Sequence, residues 1–80
     1  MRLDKFLKVS RVIKRRTVAQ EAADGGRVAV NGQPAKPGKD VKVGDVLEVR
    51  FGANILKLEV LSVDEKTRAD SAHLMYREIV

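Results

Sequence analysis

The hydrophobic period of this 80-residue chain changes once, at the Gly25-Gly26 pair, and the change restricts the folds available to it. Before the pair, apolar residues recur every three or four positions, the spacing of an amphipathic helix. After it they alternate with polar residues, the spacing of a half-buried strand. The sequence therefore predicts an α+β fold, in which two N-terminal helices pack on a small, mostly antiparallel sheet with a short C-terminal strand extension.

The apolar residues are too scattered for several classes of protein. The longest uninterrupted apolar run is three residues, which excludes a membrane-spanning helix, and the charged N-terminus is unlike a secretory signal peptide. The absence of cysteine excludes disulfide scaffolds, thiolate metal sites and thiol nucleophiles. We expect one domain over residues 1–80, with a core motif at 2–50 and an extension at 51–80.

Two helices are predicted before the glycine pair. On a helical wheel of residues 2–9, one face is apolar and the opposite face carries three bases. The apolar residues are Leu3, Phe6 and Leu7, and the bases are Arg2, Lys5 and Lys8. A second helix is predicted to start at Thr17, with Thr17 as its cap and Gln20 reaching back in a capping box, and to end at Gly25.

Short strands are predicted after the glycine pair. Val28 and Val30 precede Asn31-Gly32, a strong signal for a two-residue hairpin. Further strands are expected over 47–51 and 55–63, followed by a polar connection at 64–71. The last residues are predicted to form an edge strand from Met75 onward, with a helical turn as the alternative. Phe51 and Tyr76 are expected in the core.

The positive charge is concentrated in one part of the chain. The net charge is +5, but residues 1–16 hold seven bases and one acid, whereas residues 17–80 hold nine bases and ten acids. A basic block on a nearly neutral domain is typical of a protein that binds a polyanion. Nucleic acid is the favoured partner of the basic block. The alternatives are a solvated face without a partner and an anionic membrane surface, of which the membrane is the least favoured, so we expect no membrane association.

The basic block predicts a site for RNA phosphates at a helix–corner–helix platform. Arg16 is expected beside the start of the second helix, where backbone N–H groups also favour an anion. Asp4 is expected to orient basic neighbours. The basic segment is poor in aromatic residues, which favours structured RNA over single strands. The candidate RNA-binding residues are Arg2, Lys5, Lys8, Arg11, Lys14, Arg15, Arg16, Thr17, Arg27 and Asn31.

Four motifs, in order, resemble a known family, the αL RNA-binding module of ribosomal small-subunit protein four. They are residues 2–7 (RLDKFL), 14–19 (KRRTVA), 26–32 (GRVAVNG) and 43–49 (VGDVLEV). The resemblance implies that the two helices and the hairpin form one RNA-binding surface. It also implies that the 43–49 strand closes the sheet.

Residues 50–52 and 72–76 extend the resemblance to the family of ribosome-associated quality control factor P (RqcP), which is related to heat-shock protein fifteen. That resemblance implies a cytoplasmic, ribosome-associated factor that binds the large ribosomal subunit carrying peptidyl-tRNA. It implies contacts with large-subunit rRNA and with the tRNA, and support of alanine tailing by an RqcH/NEMF-type factor. Because heat-shock protein fifteen carries a long basic C-terminal extension, a chain ending at Val80 favours RqcP.

Other functions stay open from the sequence. A heat-shock protein fifteen-like rescue factor for stalled large subunits and a general structured-RNA-binding module are the alternatives. We expect no enzyme, because no nucleophile–base set or carboxylate pair is evident and the core is too small for a deep pocket. No catalytic residue, metal site or cofactor is predicted, and His73 is expected to have no functional role. We expect a monomer.

Overall fold

The computed structural model describes residues 1–79, which form two α-helices, five strands and a 3-10 helix. The helices are α1 (Leu3–Val9) and α2 (Arg16–Asp24), and the 3-10 helix spans Ala69–Met75. The strands are β1 (Val28–Val30), β2 (Gln33–Pro34), β3 (Val46–Phe51), β4 (Asn54–Val60) and β5 (Tyr76–Glu78). The predicted α+β architecture is confirmed.

The strands form one antiparallel sheet in the order β2-β1-β3-β4-β5. The predicted hairpin joins β1 to β2, since Asn31 (φ 52°) and Gly32 (φ 84°) are both left-handed, as a type I′ turn requires. Pro34 lies in the edge strand β2, where a residue without an N–H does not interrupt a ladder. The turn chemistry of the sequence thus fixes this edge of the sheet.

The core lies between the sheet and the two helices. The predicted apolar face of α1 is fully buried, and alternate residues of β3 and β4 meet it from the sheet. Three alanines of α2 are also buried, and their small side chains let α2 pack close to α1 and β1. The fully buried residues of the two strands are Leu47, Val49, Leu58 and Val60.

The loop after β2 closes the start of α1, a feature that the sequence did not reveal. The Leu3 N–H donates to the Lys39 carbonyl at 2.8 Å, and the Asp4 N–H donates to the Pro37 carbonyl at 3.1 Å. These amides belong to the first turn of α1, where no partner exists within the helix. The loop therefore takes the place of a side-chain cap, which Arg2 does not supply.

The prediction for the start of α2 is wrong in detail. The helix begins at Arg16 with Arg15 as its cap residue, and no side chain forms a cap hydrogen bond. Thr17 is instead the second helical residue, so it cannot act as the cap. Gln20 does not reach back to the helix start either, because its amide donates to the Asp4 carboxylate at 3.0 Å.

The C-terminal third also differs from the predicted elements. The polar connection was predicted over 64–71, but a 3-10 helix begins within it at Ala69. Ala72 and Met75 of this helix are buried and hold the chain against the core. The strand begins at Tyr76 rather than Met75, and Val80 lies outside the described residues. The strand predicted over 55–63 is Asn54–Val60.

Phe51 is not a core residue, contrary to its predicted position. It is 43% exposed, although Leu47 and Val49 on the same strand face are fully buried. The pairing between β1 and β3 ends at Val28↔Val49. Beyond that point only β3 and β4 remain paired, and Phe51 pairs there with Asn54. The sequence of β3 still alternates between apolar and polar residues at Phe51, but no core residues lie opposite it there.

Enlarging Ala19, which is fully buried in α2, should overpack the interface behind the helix. We expect Ala19→Leu to lower the free energy of unfolding by about 1–3 kcal/mol. Val18→Leu is the matched control, because Val18 lies on the same helix and is 45% exposed. Urea unfolding followed by circular dichroism measures both variants. Equal stability of the two would show that the buried face of α2 is assigned wrongly.

Candidate nucleic-acid interface

A buried carboxylate, that of Asp4, lies at the junction of α1 and α2. The Asp4 side chain has no exposed surface, yet it accepts five hydrogen bonds from four residues, which belong to α1, to α2 and to the position just before α1. Oδ1 accepts from Arg2 Nε at 3.1 Å and from the Lys5 N–H at 2.8 Å. Oδ2 accepts from Arg16 Nε at 3.3 Å, from Gln20 Nε2 at 3.0 Å and from Arg2 Nη2 at 3.4 Å. The prediction that Asp4 orients basic neighbours is confirmed.

The four donors keep Asp4 ionised. Desolvation raises the pKa of a buried carboxyl, but hydrogen bonds to the charged form outweigh it, so the pKa of Asp4 lies below its ordinary value. In decreasing order of effect, the donors are the side chains of Gln20, Arg16 and Arg2 and the Lys5 N–H. The carboxylate is therefore a fixed negative charge beneath a positively charged surface.

Asp4 holds two of the predicted RNA-binding arginines at one place. The side chains of Arg2 and Arg16 are 55% and 44% exposed, although each donates its Nε to the carboxylate. A guanidinium held through one edge still presents donors to solvent in a fixed fork, a geometry suited to phosphate. We call Arg2, Asp4 and Arg16 the arginine corner.

The other predicted bases of the platform are spread along α1 and the turn that follows it. Lys8, Arg11, Lys14 and Arg15 are all exposed. The turn is rigid, because the Ser10 hydroxyl donates to the Leu7 carbonyl at 3.3 Å and the buried Ile13 donates its N–H to the same carbonyl at 3.1 Å. The four cations therefore flank the arginine corner from fixed backbone positions.

Lys5 is engaged within the protein. Its ammonium lies 2.9 Å from Glu65 Oε1, which comes from the segment before the 3-10 helix. The hydrogen bond and the charge of Lys5 hold the pKa of Glu65 below its ordinary value. Both side chains are exposed enough for solvent to weaken the pair, so a phosphate could replace Glu65 as the partner of Lys5.

Two predicted site residues have structural partners outside the arginine corner. Asn31 donates to Asp45 Oδ1 at 3.1 Å and accepts from the Val46 N–H at 2.9 Å, so its side chain joins the hairpin turn to β3. Arg27 donates to the Glu21 carbonyl at 3.4 Å, at the opposite end of α2 from Arg16. Because nine helical residues span about 13 Å, this end of α2 is about that far from Arg16 along the helix axis.

Thr17, another predicted site residue, is exposed on the first turn of α2.

Two lysines beside the arginine corner were not predicted from the sequence. Lys36 and Lys39 flank Gly38, and a Cβ at Gly38 would lie 3.8 Å from Arg2 Nη2. Three lysines within residues 36–42, spaced by three, were the signal that could have found them. The ten acids of residues 17–80 outnumber the nine bases there, so these lysines do not stand out as a basic block.

The described residues contain no group of three or more His, Cys, Asp or Glu side chains placed to hold a metal ion. No helix within residues 1–79 combines the length and the apolar character needed to cross a membrane.

The basic helices and the first strands coincide with a known domain. The profile of the S4 domain matches residues 1–47, more than half of the chain. The chain belongs to the S4 domain family. The resemblance predicted from the four sequence motifs is thereby confirmed, and the matched region contains the whole arginine corner and both flanking lysines.

Proteins similar to this chain over most of its length are known from several bacteria. It is 55% identical over 76 residues to the "RQC P-site tRNA stabilizing factor" of Listeria innocua serovar 6a, covering 95% of this chain and 83% of that protein. It is 39% identical over 79 residues to "Heat shock protein 15" of Escherichia coli strain K12, covering 98% of this chain and 59% of that protein. The predicted resemblance to both groups is confirmed.

A solved structure supports the same relationship. The chain matches heat-shock protein 15 of Vibrio cholerae, which was solved as a trimer, with a TM-score of 0.89 and 35% identity. The match covers 99% of this chain and 81% of that one. The similarity therefore includes the C-terminal segment as well as the S4 domain region.

Asp4→Asn should test the arginine corner, because it removes the charge while keeping the shape. We expect the free energy of unfolding at neutral pH to fall by about 1.5–3 kcal/mol, the range for hydrogen bonds to a charged group. Since the native pKa of Asp4 is lowered, its stabilising effect is present above the unfolded pKa and is lost as the pH falls through the native pKa.

The difference between the wild type and Asp4→Asn should therefore shrink below about pH 4. Urea unfolding across an acid pH series measures it. Asp24→Asn is the control, because Asp24 is exposed on the last turn of α2 and its replacement should change stability little. A difference that stays constant down to about pH 2 would contradict a charge effect at Asp4.

Proposed function

We propose that this protein binds the large ribosomal subunit carrying peptidyl-tRNA and stabilises that tRNA, without catalysing a reaction. The observation that carries the proposal is the arginine corner, in which a buried carboxylate fixes two exposed guanidinium groups at the junction of two helices. The similarity to a P-site tRNA stabilizing factor at 55% identity supports the same conclusion. Residues 1–80 act as one RNA-binding domain.

The physical basis is recognition of the phosphate backbone at fixed positions. Structured RNA holds its phosphates at set spacings, so a rigid array of cations can match them, whereas mobile side chains lose entropy on binding. The arginine corner and the exposed bases around it form such an array. The proposed RNA contacts are those predicted from the sequence, with Arg2 and Arg16 at the centre and with Arg27 and Asn31 at the margin.

In finer detail, the factor contacts both large-subunit rRNA and the tRNA and acts in the cytoplasm. By supporting the tRNA it allows an RqcH/NEMF-type partner to add alanine to the stalled chain. The free protein is a monomer on this proposal, and its sedimentation tests this, since the Vibrio cholerae relative was solved as a trimer. Loss of alanine tails in cells lacking the protein tests its role in tailing.

A second candidate is a rescue role like that of heat-shock protein 15, which is favoured by the TM-score of 0.89 to the Vibrio cholerae structure. It uses the same arginine corner and the same RNA. The two functions differ in what the factor brings about: alanine tails on the stalled chain in the first, and release of peptidyl-tRNA from large subunits in the second. If deletion of the gene leaves alanine tails unchanged but leaves peptidyl-tRNA on large subunits, the second candidate is correct.

Arg16→Ala should weaken binding to purified large subunits carrying peptidyl-tRNA by roughly ten- to a hundredfold, because it removes a charge-assisted contact. Arg16→Lys should restore only part of the affinity, since lysine lacks the planar fork. Because Arg16 also stabilises the buried Asp4, Gln20→Ala is the matched control. It removes another donor to Asp4 without removing a cation.

Sedimentation through a sucrose gradient measures binding, and circular dichroism verifies folding. The expected result is that the Gln20→Ala protein still co-sediments while a folded Arg16→Ala protein does not. Full co-sedimentation of Arg16→Ala at physiological salt would place the RNA elsewhere. Equal loss by both variants would make the effect structural rather than a lost phosphate contact.

The dependence of binding on salt provides a separate test. If about six cations meet phosphates, the logarithm of the binding constant should fall with the logarithm of salt concentration with a slope of about −4 to −5. Titration of large subunits between about 50 and 200 mM salt measures the slope. A slope shallower than about −2 would contradict recognition through phosphates.

A further inference from the structure

The loop between β2 and β3 carries a basic groove outside the predicted helical platform. Lys36 and Lys39 are exposed, and together with the β1–β2 hairpin they line an open groove of about 480 Å³. The groove has no aromatic lining residue, so it offers no surface on which a base could stack. Its lining combines the two lysines with the amide residues Asn31 and Gln33 and three small apolar residues.

The two lysines are held at fixed backbone positions. The Lys39 N–H donates to the Lys36 carbonyl at 3.0 Å, which closes a turn around Pro37 and Gly38. The carbonyls of Lys39 and Pro37 in turn accept from the first amides of α1. The groove is thus part of the same rigid unit as α1, and the lysine backbone need not become ordered when a ligand binds.

The acids near the groove already have partners. Asp40 Oδ1 lies 3.0 Å from the N-terminal ammonium. Asp45 accepts from the Lys42 N–H at 2.9 Å and from Asn31 Nδ2 at 3.1 Å. The N-terminal ammonium and, to a smaller extent, the charges of Lys42 and Lys39 lower the pKa of Asp40. Within residues 1–79, neither Lys36 nor Lys39 is within ion-pair distance of an acid, so both can contact an anion from outside the protein.

The turn that carries the two lysines passes beside the arginine corner. A Cβ at Gly38 of this turn would lie 3.8 Å from Nη2 of Arg2, whose guanidinium donates to Asp4. Arg2 and Arg16 of the arginine corner and the exposed Lys36 and Lys39 are therefore carried by neighbouring segments of the fold. An elongated polyanion is the ligand that matches cations distributed in this way.

We propose that the groove binds phosphates of an RNA backbone and so extends the RNA site from the helices to the loop at 36–39. The inference rests on the proposed function, since it adds a second region to the same site. Lys36 and Lys39 are the binding residues. As point charges they contact phosphate oxygens and contribute affinity rather than sequence preference.

The test is the double variant Lys36→Ala with Lys39→Ala, titrated with purified large ribosomal subunits. Loss of two phosphate contacts should weaken binding at least about tenfold at about 0.1 M salt and make the salt slope shallower by about 1.5–2. Replacing both residues by arginine should keep the affinity. Lys57→Ala is the control, because Lys57 is exposed on β4, two strands away from β1.

The outcomes separate this proposal from the proposed function. If the wild type binds with the expected salt dependence but the double alanine variant equals Lys57→Ala, RNA does not occupy the groove and the proposal is wrong. The proposal is equally wrong if the variant keeps its affinity for RNA but loses a protein partner. If the wild type shows no salt-dependent binding, the proposed function itself fails.

Discussion

The arrangement of the basic surface depends on one buried negative charge. Without its four donors, the Asp4 carboxylate would be costly to bury, because an unpaired charge in a protein interior is strongly disfavoured. Asp4 lies on α1 and two of its donors, Arg16 and Gln20, lie on α2, so satisfying the carboxylate also fixes one helix against the other. A fully satisfied buried polar network makes its surroundings rigid. Here the geometry that it fixes is that of two guanidinium groups facing solvent.

The loop at 35–41 makes this arrangement possible at the very start of the chain. Terminal residues are often poorly ordered unless the rest of the fold holds them. Residues 1–4 are held by hydrogen bonds to residues 37–41, which include the Val41 N–H bonded to the Met1 carbonyl at 2.7 Å. An isolated antiparallel β-bridge pairs the backbones of Arg2 and Asp40 as well. The backbone at Arg2 is therefore held by the rest of the fold, although Arg2 is the second residue.

Local patterns predicted the elements well, and contacts between distant residues account for the errors. The apolar face of α1 and the Asn31-Gly32 turn depend on neighbouring residues, so the sequence was sufficient. The capping box at Thr17 failed because Gln20 found a partner sixteen residues away in Asp4. The site was predicted only in part, because the lysines beside Arg2 are neighbours in space but not in sequence.

The basic segment at residues 1–16 repels itself, and the fold compensates with three acids. Asp4 pairs with Arg2 and Arg16, Asp40 with the N-terminal ammonium, and Glu65 with Lys5. Only Asp4 is buried; the other two acids are exposed, so solvent and salt weaken their pairs. We therefore expect that an RNA phosphate can replace Glu65 beside Lys5 without disturbing the fold, whereas the pairs with Asp4 persist and keep the two arginines in position. On this proposal the buried carboxylate maintains the structure, and the exposed pair is the one that RNA exchanges.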